Sequence, residues 1–333
     1  MQVSLKWLKD YVDVDVSPEE LAERLTMAGL EVDSLRRIEP AFRGVRVARI
    51  VSLRPHPKAE KLSLCEVSTG DATRPVVCGA KNIRVGDIVP LAQVGAVLPS
   101  GDVIRSARLR GEVSEGMLCS EEELGIGADA SGIMILPSDL PLGKELAGAL
   151  HLCDTVLDIG VTPNRSDCLS MVGVAREVAA VTGKELRYPP TVVAENNEDI
   201  RGITSVSIED PDLCPRYTAR IIKNVRIGPS PFWMRRRLEA AGLRSINNIV
   251  DVTNFVMMEL GQPLHAFDFR FLEEGRIVVR RSRAGETFIS LDEKERVLRA
   301  DTLMICDGVK PVAIGGVMGG LNSEVKDDTE TIL

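Results

Sequence analysis

Between Phe42 and Leu150 the apolar residues come in short runs, VRVARIVSL, LSLCEVS, RPVVCGA, DIVPLAQV and VIRSARLRG, parted by HPKAEK, TGDATR and PSGD. Runs this short, rich in Val and Ile and bounded by turn residues, read as β-strands rather than helices. Five of them with tight connections fit a small closed barrel. Helical spacing precedes the block and returns after it, so the chain is expected to be α+β and multidomain. Its parts are a small N-terminal helical and β unit (1–38), the barrel (39–150), a connecting helix and linker (151–200) and a mixed α/β domain (201–333).

A length of 333 residues gives room for several such cores. Aromatics make up only 4% of the chain, which argues against a surface built on base stacking. The net charge of −8 means that any contact with a polyanion has to be local. The start, MQVSLKWLKDYVDVDV, lacks a basic region followed by an apolar run, and no stretch has the apolar length of a membrane span. A cytoplasmic location with no membrane partner is expected. Seven widely spaced cysteines and three histidines form no zinc pattern and no disulfide framework, so reduced, mostly buried thiols are expected.

Ser17 and Glu20 form a capping box with Pro18 at the first helical position, and Gly29 closes that helix. Pro163, Asn164 and Arg165 form a turn ahead of a helix over Leu169 to Thr182, ended by Gly183. Ser230 and Pro231 are expected to open a helix that stops at Gly242. The stretch from Arg244 to Asp268 follows. Its residues Ile246, Ile249, Val250, Val256, Met257 and Leu260 recur at helical spacing and predict a core-facing stripe. Asn247, Asp251 and Asn254 form a neighbouring stripe of short polar side chains, which suits a polar cleft. Gly261 and Pro263 end the helix, and the chain then presents His265. A buried histidine bonded to a backbone carbonyl is the commoner fate of a residue set between Leu264 and Ala266.

Strands are expected again at RIVVRRS, ETFIS, RVLR, LMICDG and PVAIGG. The last runs into Gly315, Gly316, Gly319 and Gly320 around Val317 and Met318. A tight bend explains a single glycine, whereas two pairs after a strand suit a pocket wall approached closely by a ligand.

HPKAEKL (His56 to Leu62), VVCGAKNI and GEVSEGMLCSEEELG resemble the oligonucleotide-binding-type barrel that binds tRNA in several synthetases and in free-standing tRNA-binding proteins. Arg43, Arg46, Arg49 and Arg54, with Arg105, Arg108 and Arg110, are candidates for a groove that follows a phosphate backbone. Glu121, Glu122 and Glu123 work against it, and outward strand positions kept soluble by charge are the plainer explanation.

The segment from CPRYTARIIKNV through PLHAFD, with VAIGGVMGG, SEV and VTPNRSDCLS, resembles the β subunit of bacterial phenylalanyl-tRNA synthetase, over its N-terminal barrel and its B3/B4-type editing domain. Members of that family are longer, so this chain is expected to be a fragment or an incomplete product. The resemblance implies an α2β2 enzyme in which the α subunit charges tRNA(Phe) with phenylalanine, using ATP and Mg2+; this segment itself is expected to bind neither. It implies hydrolytic editing of tyrosyl-tRNA(Phe) here, with His265 contacting the terminal adenosine and placing water. Thr253 and Asn254 would line the pocket and Gly315, Gly316 and Gly319 would close it. In the family a glutamate following TIL helps to recognise the tyrosine hydroxyl. The alternative is an RNA-docking and assembly module whose editing domain is inactive.

Overall fold

The computed structural model describes residues 1–333, which form two compact units, Arg36–Thr155 and a composite of Met1–Leu35 with Val156–Leu333.

In the first unit a five-stranded antiparallel sheet runs in the order Thr73–Cys78, Ala59–Ser68, Arg43–His56, Ile88–Val97, Gly116–Leu118. Its ends approach each other: Glu115 N–H donates to Pro75 O at 2.8 Å and Val77 N–H to Ser114 Oγ at 3.1 Å. Alternating positions of these strands, among them Ile50, Cys65, Val67, Val89 and Leu91, bury the interior. One expectation fails. VIRSARLRG does not supply the fifth strand; its ARL joins EVS in a separate hairpin, and the three-residue Gly116–Leu118 takes the sheet position instead. So short a strand carries no alternation that a sequence pattern could reveal.

The composite unit has two cores. The first gathers Trp7, Leu8, Leu21, Leu25, Leu157, Met171, Val174, Val178, Leu238 and Phe255. Strand Gln2–Ser4 pairs antiparallel with Asp154–Ile159, which is flanked on its other side by Val32–Ile38. Ser17 caps Pro18–Met27 as its sequence predicts, accepting from Glu20 N–H at 3.1 Å. Helix Met171–Thr182 is no spacer, because Met171 through Ala175 are all buried in this core. Trp7 stacks on Phe255 with centroids 4.5 Å apart, and Trp233 meets the same ring edge-on at 5.5 Å. Arg237 lies over both indoles and pairs with Asp10 at 2.7 Å. The Trp7 indole donates to Tyr11 Oη at 2.8 Å, and the Tyr11 hydroxyl donates to Glu259. Burial, reinforced by that carboxylate, pushes the Tyr11 phenol far above its ordinary pKa and keeps it a donor.

The second core is built on a sheet ordered Val206–Ile208, Ile277–Arg281, Leu303–Cys306, Pro311–Ile314, Met318–Gly319, parallel at the first pair and antiparallel after it. Phe267, Ile277, Val279, Ile305, Val312 and Leu333 cover one face, and Val278, Phe288, Leu298, Met304 and Cys306 the other. Burial on both faces explains why IVV is an unbroken apolar run. Leu333 and Phe267 exchange both backbone hydrogen bonds, at 2.9 and 3.0 Å.

Helix Asn248–Leu260 corrects the sequence reading. Phe255 and Asp251 are buried, whereas Ile246 and Leu260 are exposed and Val250, Val256 and Met257 only partly covered. The face turned inward is therefore the one carrying Asp251, Phe255 and Met258. Asp251 is tolerated there because it is saturated: Ser230 and Ser245 hydroxyls and Ile246 N–H, the last at 2.8 Å, all donate to it. Ser230, expected to cap its own helix, is thus used elsewhere; Pro231 stands at that N-cap without a side-chain bond. Asn247 caps the helix, accepting from Ile249 and Val250 N–H at 3.1 and 2.9 Å. Two of the three polar stripe residues are structural, so they do not form a cleft.

Candidate functional site

His265 follows the helix terminated by Gly261, which adopts φ +75 with its N–H bonded to Met257 O at 2.8 Å. The imidazole stands edge-on to Phe267 with centroids 4.6 Å apart. Its other neighbour is Gly319. A Cβ on that glycine would run into His265 Cε1 and Nε2, and would lie 3.2 Å from Leu291 Cδ1. The site therefore requires glycine for close approach rather than for a left-handed backbone. One edge of His265 stays exposed to solvent, while the surrounding protein desolvates the ring and lowers its pKa below the usual imidazole value. It is neutral at pH 7 and able to accept a proton or a hydrogen bond from water.

Gly315 and Gly316 do something different. Gly315 N–H donates to Leu303 O at 2.9 Å, and its would-be Cβ faces Leu303 at 3.0 Å. Gly316, at φ +70, has open space around it and turns the chain between Pro311–Ile314 and Met318–Gly319, with Val317 N–H bonded to Ile314 O at 3.0 Å. These two glycines build the hairpin that delivers Gly319 to the histidine. Thr253 donates its hydroxyl to Val250 O at 2.7 Å in its own helix, and Asn254 is half-buried beside it. No hydrogen bond joins either residue to the His265–Gly319 pair. Sequence reading missed Leu291, whose N–H donates to Gly319 O at 3.1 Å. It lies in the turn of a small hairpin, Thr287–Ile289 with Glu295–Val297, and only the three-dimensional pairing brings it to the glycines.

In the barrel unit Arg43, Arg49, Arg54, Arg105, Arg108 and Arg110 are exposed, whereas Arg46 is half-buried and paired with Glu145 at 3.3 Å. Arg46 thus faces an acidic partner within its own unit. Asp167, Cys168 and Glu177 hold their ligand atoms within 4.8 Å of one another, but Arg165 bonds all three, at 3.0, 3.1 and 2.9 Å. That cluster is an ion-pair network. A cavity of about 330 Å³ lined by Ile200, Thr204, Val206 and Ala219 contains none of the expected residues. No helix is long and apolar enough to cross a membrane.

Residues 45–145 match the family described as a putative tRNA binding domain, and residues 213–333 match the B3/4 domain. The whole chain is 71% identical to the phenylalanine–tRNA ligase beta subunit of Syntrophus aciditrophicus and 55% identical to that of Geobacter sulfurreducens, covering 41% and 42% of those proteins. Over its whole length the chain matches part of the phenylalanine–tRNA ligase beta subunit. It spans about two fifths of the length of these relatives. The beta subunit of Geobacillus kaustophilus is 49% identical over 340 aligned residues, again with all of this chain and 42% of that protein covered. The His265–Gly319 pair lies in the residues that match the B3/4 domain, and Arg49, Arg54, Arg105, Arg108 and Arg110 lie in those that match the putative tRNA binding domain.

Proposed function

We propose that the chain supplies tRNA(Phe) binding and hydrolytic editing of tyrosyl-tRNA(Phe) to an α2β2 phenylalanine–tRNA ligase, whose α subunit performs charging with ATP and Mg2+. The carrying observation is the neutral imidazole of His265 held against the Gly319 backbone inside the B3/4 portion. An apolar synthetic pocket rejects an isostere bearing an added hydroxyl by only about 10²-fold, so a second, hydrolytic site has work to do. Here the ring would orient water toward the ester carbonyl, and no adjacent Ser or Cys suggests a covalent intermediate.

The antiparallel pairing of Leu333 with Phe267 supports the same reading. It fixes the backbone two residues from the imidazole in a hydrogen-bonded ladder. The test is His265→Ala in the full-length α2β2 enzyme, with release of tyrosine from tyrosyl-tRNA(Phe) measured beside phenylalanine charging. Loss of deacylation with charging intact supports editing at this site, and unchanged deacylation rejects it. The second reading, a docking and assembly module without hydrolysis, draws on the commitment of the Thr253 hydroxyl to its own helix. Wild-type enzyme that releases no tyrosine would decide for it.

A further inference from the structure

Arginines of the composite unit are mostly matched by carboxylates, as in Arg187 with Asp13, Arg237 with Asp10 and Arg281 with Asp210. In the barrel unit Arg54, Lys58, Lys61, Arg108 and Arg110 are exposed and carry no ion-pair partner. Glu60 and Glu112 are the acidic residues on the same two tips, leaving a local surplus of cations.

The fold holds those tips together. The ribbon of Arg43–His56 and Ala59–Ser68 ends in the turn at His56, and the hairpin of Ala107–Leu109 with Glu112–Ser114 ends in Arg110 and Gly111. His56 is buried between them. Its Nδ1 accepts from Lys58 N–H at 3.0 Å, so the ring proton resides on Nε2, which donates to Leu109 O at 3.1 Å. Lys58 Nζ comes within 3.9 Å of the position a Gly111 Cβ would occupy. One imidazole thus ties the lysine loop to the arginine hairpin.

The residue at the hairpin tip is informative. Arg110 and Gly111 have φ of +54 and +101, the left-handed pair of a two-residue hairpin turn. Asn, Asp or Gly suits the first of these positions, and an arginine is a strained choice for folding alone. Its side chain is more simply explained by a contact outside the chain. The stretches RPHPKAEK and RSARLRGEVS contain no Phe, Tyr or Trp, so stacking on bases is absent from both tips.

We propose that the two tips form a clamp for an RNA phosphodiester backbone, with Arg54, Lys58, Lys61, Arg108 and Arg110 as the phosphate contacts and His56 as the brace that sets their spacing. The clamp rests on the reading that the barrel binds tRNA. Without aromatic platforms it recognises backbone rather than base sequence, and its affinity falls steeply with salt. The test uses the 333-residue chain and fluorescently labelled tRNA(Phe), followed by anisotropy between 50 and 200 mM salt. Arg110→Gly separates folding from binding, because glycine relieves the left-handed strain while removing the charge. Its melting temperature should hold or rise while affinity at 0.1 M salt drops about threefold to tenfold and the salt slope loses about one contact. Lys58→Ala with Arg108→Ala should lower the slope by about two. Wild-type affinity and slope in both variants overturn the clamp alone, whereas no tRNA binding by the wild-type chain overturns the barrel reading beneath it.

Discussion

Gly319→Ala tests the site more directly than removal of the histidine does. Gly319 does not have the left-handed backbone that excludes alanine, so the substitution acts through the new methyl group alone. That methyl would overlap His265 Cε1 and Nε2 and press Leu291 Cδ1 at 3.2 Å. Ordinary carbon contacts lie at about 3.5–4.0 Å, so the ring has to withdraw by about 1 Å or more. Phe267, edge-on behind it at 4.6 Å, blocks one route. A misplacement of about 1 Å in a positioning group costs on the order of 10²-fold in rate, or about 2.7 kcal/mol in the barrier. Overpacking is expected to cost a further 1–3 kcal/mol, roughly, in stability. The assay is deacylation of tyrosyl-tRNA(Phe) by the full-length α2β2 enzyme, with phenylalanine charging and thermal denaturation as controls. Gly316→Ala is the matched comparison: its φ of +70 strains alanine by about 1–2 kcal/mol, yet nothing lies within 4 Å of its would-be Cβ. Stability should fall there while hydrolysis persists. Wild-type hydrolysis by Gly319→Ala would refute the placement of His265, and equal loss in both variants would reduce the glycine loop to a structural hairpin.

Three further outcomes are expected. His265→Ala in the α2β2 enzyme should slow deacylation tenfold or more, about 1.4 kcal/mol, with charging unaffected, as read by parallel kinetic assays. Because burial lowers the His265 pKa in the folded state, protonation favours the unfolded chain; stability should therefore be intact above about pH 6.5 and decline as pH falls from there toward the lowered value, with hydrolysis declining alongside it. A His265→Gln variant that keeps the same stability profile below pH 6.5 would assign the decline to other groups. Asp251→Ala should destabilise the composite unit by roughly 2–4 kcal/mol in denaturant titration, since Ser230, Ser245 and Ile246 N–H lose their common acceptor, and a loss under 0.5 kcal/mol would contradict the anchoring role.

Helix ends were legible because caps are local chemistry. Ser17 and Gly261 each act on atoms within four residues of themselves, and short sequence windows contain both partners. The face of Asn248–Leu260 was not legible. An acidic residue at 251 reads as solvent-facing until the hydroxyls of Ser230 and Ser245 are brought to it, and hydrophobic spacing then selects the wrong stripe. The glycine pairs announced a close approach without naming its object. Only the sheet, which brings Met318–Gly319 beside Pro311–Ile314, makes the object His265. Among the barrel arginines, sequence could not separate Arg46, paired with Glu145, from Arg108 and Arg110, which stay free.

The interrupted construction of the composite unit has a consequence for biosynthesis. Strand Gln2–Ser4 has to wait for Asp154–Ile159, which leaves the ribosome about 120 residues after Leu35, roughly 6 to 25 seconds later at ordinary elongation rates. During that interval the barrel strands find all their sheet partners within their own segment, whereas Trp7, Leu8, Leu21 and Leu25 have none of the Met171–Thr182 side chains against which they finally pack. A nascent chain paused before residue 156 therefore carries a finished barrel behind an exposed apolar leader segment, which is the state a holding chaperone would find.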